Sequence, residues 1–129
     1  MPYVANNLDM WAHSPSVGSG ECAVLVQRAT GAPLTKNWYR GPQVITLKKI
    51  AAGTAIATFD GFHYPLGDLP KHAALFASFE ESGIRVVDQW NNYRDGVVVS
   101  KQPPHYRILR YNHPDYKLVN RADSFYVVY

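Results

Sequence analysis

One run constrains this chain more than any other. Glu21-Cys22-Ala23-Val24-Leu25-Val26-Gln27-Arg28-Ala29 is the segment that reads most convincingly as a helix. Its limits are written in the residues around it. Ser19 can accept hydrogen bonds from the first free backbone N–H groups, and Glu21 suits the positive end of the helix dipole. Arg28 lies in the last turn, and Gly31 with Pro33 stops the helix. The consecutive bulky residues Val24, Leu25 and Val26 predict a helix covered on most sides, central rather than a surface veneer.

A polar, turn-rich lead-in precedes this helix, ending Ser14-Pro15-Ser16-Val17-Gly18-Ser19-Gly20, and residues 34–42 after it read as a loop or short helix. Strand-like segments then take over. Residues 54–59 alternate, with Ala55, Ala57 and Phe59 on one face, and the small residues suit close packing against a helix. Residues 72–78 and 84–88 flank the connection Phe79-Glu80-Glu81-Ser82-Gly83 and predict an antiparallel hairpin. Further strands are expected at 97–99, 105–111 and 125–129. The fold class is therefore α+β, an early helix packed on an antiparallel sheet. With 129 residues, 47% of them hydrophobic, and no repeat or linker-like stretch, residues 1–129 are expected to form a single domain.

Composition excludes several classes. No apolar run approaches the roughly 20 residues that span a bilayer, so membrane insertion is not expected. The start, Met1-Pro2-Tyr3-Val4-Ala5-Asn6-Asn7, lacks the basic-then-apolar build of a secretory signal, which predicts synthesis in the cytoplasm without a signal peptide. A net charge of +3 with no Lys/Arg block gives no reason to expect nucleic acid as a partner, although a modest positive charge suits an anionic polymer. The single cysteine excludes an intramolecular disulfide framework and a zinc site built from several thiolates.

That cysteine, Cys22, falls in the first turn of the predicted helix, where free N–H groups and the dipole favour thiolate over thiol. It is either a small core residue or a nucleophile, and the Gly-Ser-Gly turn before it favours the second. A thiolate needs a base, and five histidines are present: His13, His63, His72, His105 and His113. His72 opens the strand best placed to hold an imidazole against the helix start, and His105, which also begins a predicted strand, is not excluded by position. Asp88 closes the hairpin that His72 opens and can orient the imidazole, a task for which Gln89, Asn91 and Asn92 also have suitable side chains. The Cys22 backbone N–H is one expected oxyanion donor, with Tyr3, Asn6, Asn7 and Ser19 as candidates for the other. Trp38, Tyr39, Phe62, His63, Tyr64 and Trp90 fall in predicted loops where aromatic rings either line a substrate groove or plug the edge of a core. Ser19, Trp38, His63, Gln89 and Trp90 are the substrate-contact candidates.

The segment Gly18-Ser19-Gly20-Glu21-Cys22-Ala23-Val24-Leu25-Val26-Gln27 resembles the nucleophile helix of the NlpC/P60 and CHAP cysteine peptidases and amidases. Gly53-Thr54-Ala55-Ile56-Ala57-Thr58-Phe59 is similar to the following strand of CHAP domains, with Thr54 where those domains usually carry Asp. Lys71-His72-Ala73-Ala74-Leu75-Phe76 is similar to their histidine strand, and Asp88-Gln89-Trp90-Asn91 stands where they place a third polar residue. More narrowly, the chain resembles the small amidase effectors delivered by bacterial type VI secretion. The resemblance implies a papain-like core and hydrolysis of peptide bonds in peptidoglycan stems, with Cys22 as nucleophile, His72 as base and acid, and Asp88 as orienter. It implies secretion machinery and a periplasmic immunity protein as partners, and delivery to the periplasm of a target bacterium. No cofactor and no metal is expected. The competing expectations are a phage-type lysin, a noncatalytic binding or inhibitory module on the same fold, and a metal site built from His63, His72 and Asp88.

Overall fold

The computed structural model describes residues 2–112 and 117–129, so His113 lies outside the described residues. Two α-helices, α1 (Leu8–Ala12) and α2 (Cys22–Thr30), precede the strands. The strands are β1 (Arg40–Gln43), β2 (Ala55–Ala57), β3 (Ala73–Glu80), β4 (Gly83–Arg94), β5 (Val97–Arg110) and β6 (Tyr126–Val128). Among the described residues they form one six-stranded sheet in the order β1-β6-β2-β3-β4-β5, every pair antiparallel. No helix of the described residues is long and apolar enough to cross a membrane.

Both faces of the central strands are buried. On one face α2 packs across β3 and β4, joining Leu25 and Val26 to Ala55, Ala57, Ala73, Leu75 and Val87. The alanines let the helix approach closely, as the alternation of residues 54–59 predicts. Leu25 and Val26 are wholly buried, which at full burial contributes about 1.5–3 kcal/mol each. On the other face Ile56, Phe76, Ile84, Val86, Leu109 and Phe125 form a second core, covered by the short 3₁₀ turns Val44–Thr46 and Ala122–Ser124.

The helix begins and ends one residue later than the sequence suggests. Gly31 adopts a left-handed φ of 77°, and its N–H donates to the Gln27 carbonyl at 2.9 Å. Ser19 is not its N-cap: Glu21 holds that position, and the Ser19 hydroxyl accepts only the Glu21 N–H at 3.4 Å. The β3-β4 connection contracts from five residues to Glu81 and Ser82, because Phe79 packs edge-on against Phe76, 4.9 Å between centroids, and so stays in the ladder opposite Ile84. The segments expected at 97–99 and 105–111 are one strand, β5, which is an edge strand and so tolerates Pro103 and Pro104. It leaves β4 through Asp95 and Gly96, both left-handed at φ 53° and 77°, as a two-residue hairpin turn requires. Residues 34–42, expected as a loop or short helix, divide into a 3₁₀ turn at Thr35–Asn37 and the start of β1. The short helix α1 lies within the stretch expected to be a turn-rich lead-in.

Candidate active site

Cys22 is the first residue of α2, and the chain reaches it through a turn held from β4. Gln89 is wholly buried and spends its whole amide there: Oε1 accepts the Val17 N–H at 2.8 Å, and Nε2 donates to the Val17 and Glu21 carbonyls at 3.0 and 2.8 Å. Asn91 Nδ2 donates to the Ser19 carbonyl at 3.0 Å. Gly20 sits at φ 90°, where a Cβ would lie 2.2 Å from Asn91 Oδ1, so the turn demands glycine on both conformational and steric grounds. The first amides of a helix have no carbonyl four residues back within it, and here the Val24 N–H donates to the Glu21 carbonyl at 3.2 Å.

His72 stands just before β3 and is clamped by its own backbone. Its N–H donates to Thr58 Oγ1 at 3.0 Å, and its carbonyl accepts the Thr58 N–H at 3.0 Å. Its ring Nε2 lies 2.6 Å from Asp88 Oδ2. The carboxylate accepts, so Nε2 carries the proton and Nδ1 is the nitrogen left for the Cys22 thiol. In the β3-β4 register Leu75 opposes Val87, which sets Asp88 diagonally across from His72 on the same face. Asp88 is wholly buried and accepts further bonds from Arg107, whose Nε lies 3.0 and 2.8 Å from its two oxygens.

These contacts shift the charges in one direction. Burial raises the Cys22 thiol, but the hydrogen bond and charge of His72, the Ala73 backbone amide and the Tyr64 hydroxyl together bring it below its ordinary 9.0. Burial lowers His72, yet the bonds to Asp88 and Cys22 raise it from 6.5 to about 9. Burial also raises Asp88, and the bonds to His72 and Arg107 overcome this and hold it below its usual range. These contacts favour a thiolate–imidazolium pair beside the charged Asp88 carboxylate. Burial and the neighbouring thiolate push the Tyr64 phenol far above its ordinary value, so its hydroxyl, 3.8 Å from Cys22 Sγ, remains a proton donor.

A cleft of about 640 Å³ opens over the thiol, lined among others by Glu21, Cys22, Tyr64, His72, Trp90 and Tyr93. Of the residues singled out from sequence, Cys22, His72 and Asp88 come together, and Trp90 forms part of the wall. Four substrate-contact candidates are corrected. Trp38 is wholly buried beneath Tyr64, 5.0 Å between ring centroids, with its indole N–H donated to the Pro33 carbonyl. His63 is exposed, bridges to Asp60 and Tyr39, and does not line the cleft, so the set His63, His72 and Asp88 is not assembled. Gln89 is a strap for the nucleophile turn rather than a contact for substrate or imidazole. Ser19 lies outside the cleft lining, as do Tyr3, Asn6 and Asn7. His105 bonds the Pro103 carbonyl through Nδ1, meets Trp90 edge-on and does not line the cleft. Sequence reasoning placed Tyr64 only among aromatic wall residues and missed Arg107, whose place beside Asp88 depends on the β4-β5 register.

A helix-borne thiol, a strand-borne imidazole and a buried carboxylate on an antiparallel sheet are the parts of a papain-like cysteine amidase. The family described as domesticated amidase effector 2 matches residues 9–128, and the chain belongs to it. It is 31% identical over 132 residues to the type VI secretion amidase effector 2 protein of Salmonella typhi, covering 99% of each chain. It is 36% identical over 121 residues to domesticated amidase effector 2 of Ixodes scapularis, covering 87% of this chain and 72% of that protein. The solved structure of a type 6 secretion amidase effector 2 superposes with a TM-score of 0.81 at 29% identity, covering 98% of this chain and 93% of the other. The fold is the papain-like α+β fold of that effector.

Proposed function

We propose that this amidase hydrolyses amide bonds in the peptide stems of bacterial peptidoglycan, with Cys22 as nucleophile, His72 as general base and acid, and Asp88 as orienter. The observation that carries the reading is the contact of His72 Nε2 with buried Asp88 at 2.6 Å, which turns Nδ1 to a thiol already lowered by the imidazole. The thiolate attacks the amide carbonyl, and His72 gives its proton to the leaving amine. Water then attacks the thioester, His72 takes its proton, and the C–S bond breaks to release the acid. The Cys22 N–H and the Tyr64 hydroxyl are the two donors for the oxyanion. Tyr64 suits this role because its ring is fixed edge-on against Trp38 and Phe59, leaving the hydroxyl aimed at the sulfur.

As a relative of type VI secretion amidase effectors, the protein reads as an antibacterial effector carried by a secretion machine into the periplasm of a target cell. Residues 1–129 act as a single domain in this reading. A producer that meets its own effector in the periplasm needs a protein that blocks the cleft, so a periplasmic immunity protein is the expected partner.

The test is digestion of purified sacculi by the native protein and by Cys22→Ala, with mass spectrometry of the released muropeptides. Release by the native protein alone supports the assignment and identifies the bond. Equal release by both refutes the role of Cys22, and no release by either on Gram-negative and Gram-positive walls refutes the substrate.

A further inference from the structure

Arg107 is a charged residue in contact with the catalytic pair that the reaction above leaves without work. It lies on β5 opposite Val86, one diagonal step from Asp88, which pairs with His105. Its Nε reaches both Asp88 oxygens, and its Nη2 lies 2.7 Å from Oδ2, 3.4 Å from His72 Nε2 and 3.4 Å from Asn120 Oδ1. The guanidinium carbon sits 4.8 Å over the ring of Trp90, so the cleft wall fixes its plane. The charged or titratable groups facing His72 are Cys22 from α2, Asp88 from β4 and Arg107 from β5, and the Phe125 ring closes a further side edge-on.

Counting charge through the cycle shows what such a placement does. With thiolate and imidazolium present, those two charges cancel, and so do Asp88 and Arg107. After acylation the thioester and the imidazole are both neutral, and Asp88 with Arg107 still sums to zero. Remove Arg107, and the acyl-enzyme buries one uncompensated negative charge against His72. An imidazole beside it keeps its proton up to a higher pH, and while protonated it cannot accept one from water.

We propose that Arg107 is a positioning residue for deacylation: it fixes both Asp88 oxygens and offsets their charge, so that His72 is neutral when water must be activated. The inference rests on the catalytic assignment of Cys22, His72 and Asp88. Its test follows breakdown of the acyl-enzyme on a soluble muropeptide from about pH 5 to about pH 9, by quenching and mass spectrometry. In Arg107→Gln the acid limb of the deacylation rate moves up by about one pH unit, which costs about tenfold below the limb and little above it. In Arg107→Lys the limb stays where it is in the native protein while the plateau falls, because an ammonium is a point charge and cannot hold two oxygens as a planar fork does.

A purely structural arginine predicts something different: lower thermal stability and a uniformly scaled rate with the limb unmoved. That result in Arg107→Gln overturns the proposal. Should Arg107→Gln fail to fold, Arg107→Lys decides, and native values of both limb and plateau overturn it. Activity surviving in Cys22→Ala points instead to failure of the underlying assignment, so the two failures are told apart.

Discussion

Replacing Gln89 by Leu keeps the volume of the side chain and removes the three hydrogen bonds by which Gln89 ties β4 to the turn before Cys22. Val17 is itself buried, so its N–H loses its partner with no ready access to water, while its carbonyl keeps the Gly20 N–H at 3.0 Å. Each such orphan costs about 1–3 kcal/mol. Glu21 is exposed, so its carbonyl rehydrates at small cost. The expected loss is therefore about 1–3 kcal/mol, a substantial fraction of the 5–15 kcal/mol typical of a domain. Urea unfolding of the native and variant proteins reads it directly. Activity should fall as well, because the turn fixes Cys22 against His72 and a displacement of about 1 Å at a reacting group costs about a hundredfold. A variant as stable as the native protein but inactive would refute the strap and return Gln89 to a direct chemical role. A variant unchanged in both would refute any role for the three bonds.

Three further outcomes follow from the same geometry. Asp88→Asn offers Nδ2 donors and an oxygen where the carboxylate now only accepts, which destabilises the required tautomer of His72, and kcat is expected to fall about 10²–10⁴-fold while circular dichroism reports a retained fold. Tyr64→Phe keeps the ring against Trp38 and Phe59 and deletes only the hydroxyl, so kcat should drop about 10²–10³-fold with KM little changed; an equal rise in KM with kcat intact points to substrate binding instead. The thiol lies below its ordinary 9.0 and His72 stays protonated up to about 9, so the ion pair occupies the window between the two. Iodoacetamide should therefore alkylate Cys22 with a midpoint below 9.0, and a rate that rises only around the ordinary thiol value contradicts activation.

The parts of the site legible in the sequence are those written locally. Cys22 is found from a glycine turn and the start of an apolar run, and His72 and Asp88 from the opposite ends of one hairpin, where period-two alternation sets faces. Asp95-Gly96 is also a local signal, a hairpin turn that joins the flanking strands into β4-β5. What the sequence hides depends on pairings between distant segments. Gln89 looks like one more polar side chain after Asp88 until α2 and β4 are docked, 72 residues separating it from Val17. Arg107 is one of several basic residues on a strand until the register sets it beside Asp88. Trp38 and His63 mislead because an aromatic in a loop says nothing about which side of the loop faces the cleft.

One strand does more to set the chemistry than the helix that carries the nucleophile. Successive residues of β4 point to opposite faces, so Asp88 turns to the imidazole while Gln89 turns to the turn before Cys22. Nucleophile and base are thus both held by neighbouring positions of a single ladder, and their separation is set by the width of one sheet rather than by loop closure. The ladder shifts register between Asp88 and Trp90, just where the strand leaves the buried core for the cleft wall. Had the β3-β4 pairing slipped by one residue, the amide would face His72 and the carboxylate would face two carbonyls, leaving a buried charge against acceptors. That cost is what ties the register of the sheet to the catalytic geometry: Phe76, Phe79 and Ile84 in the second core hold the pairing, and through it they hold the distance between sulfur and imidazole.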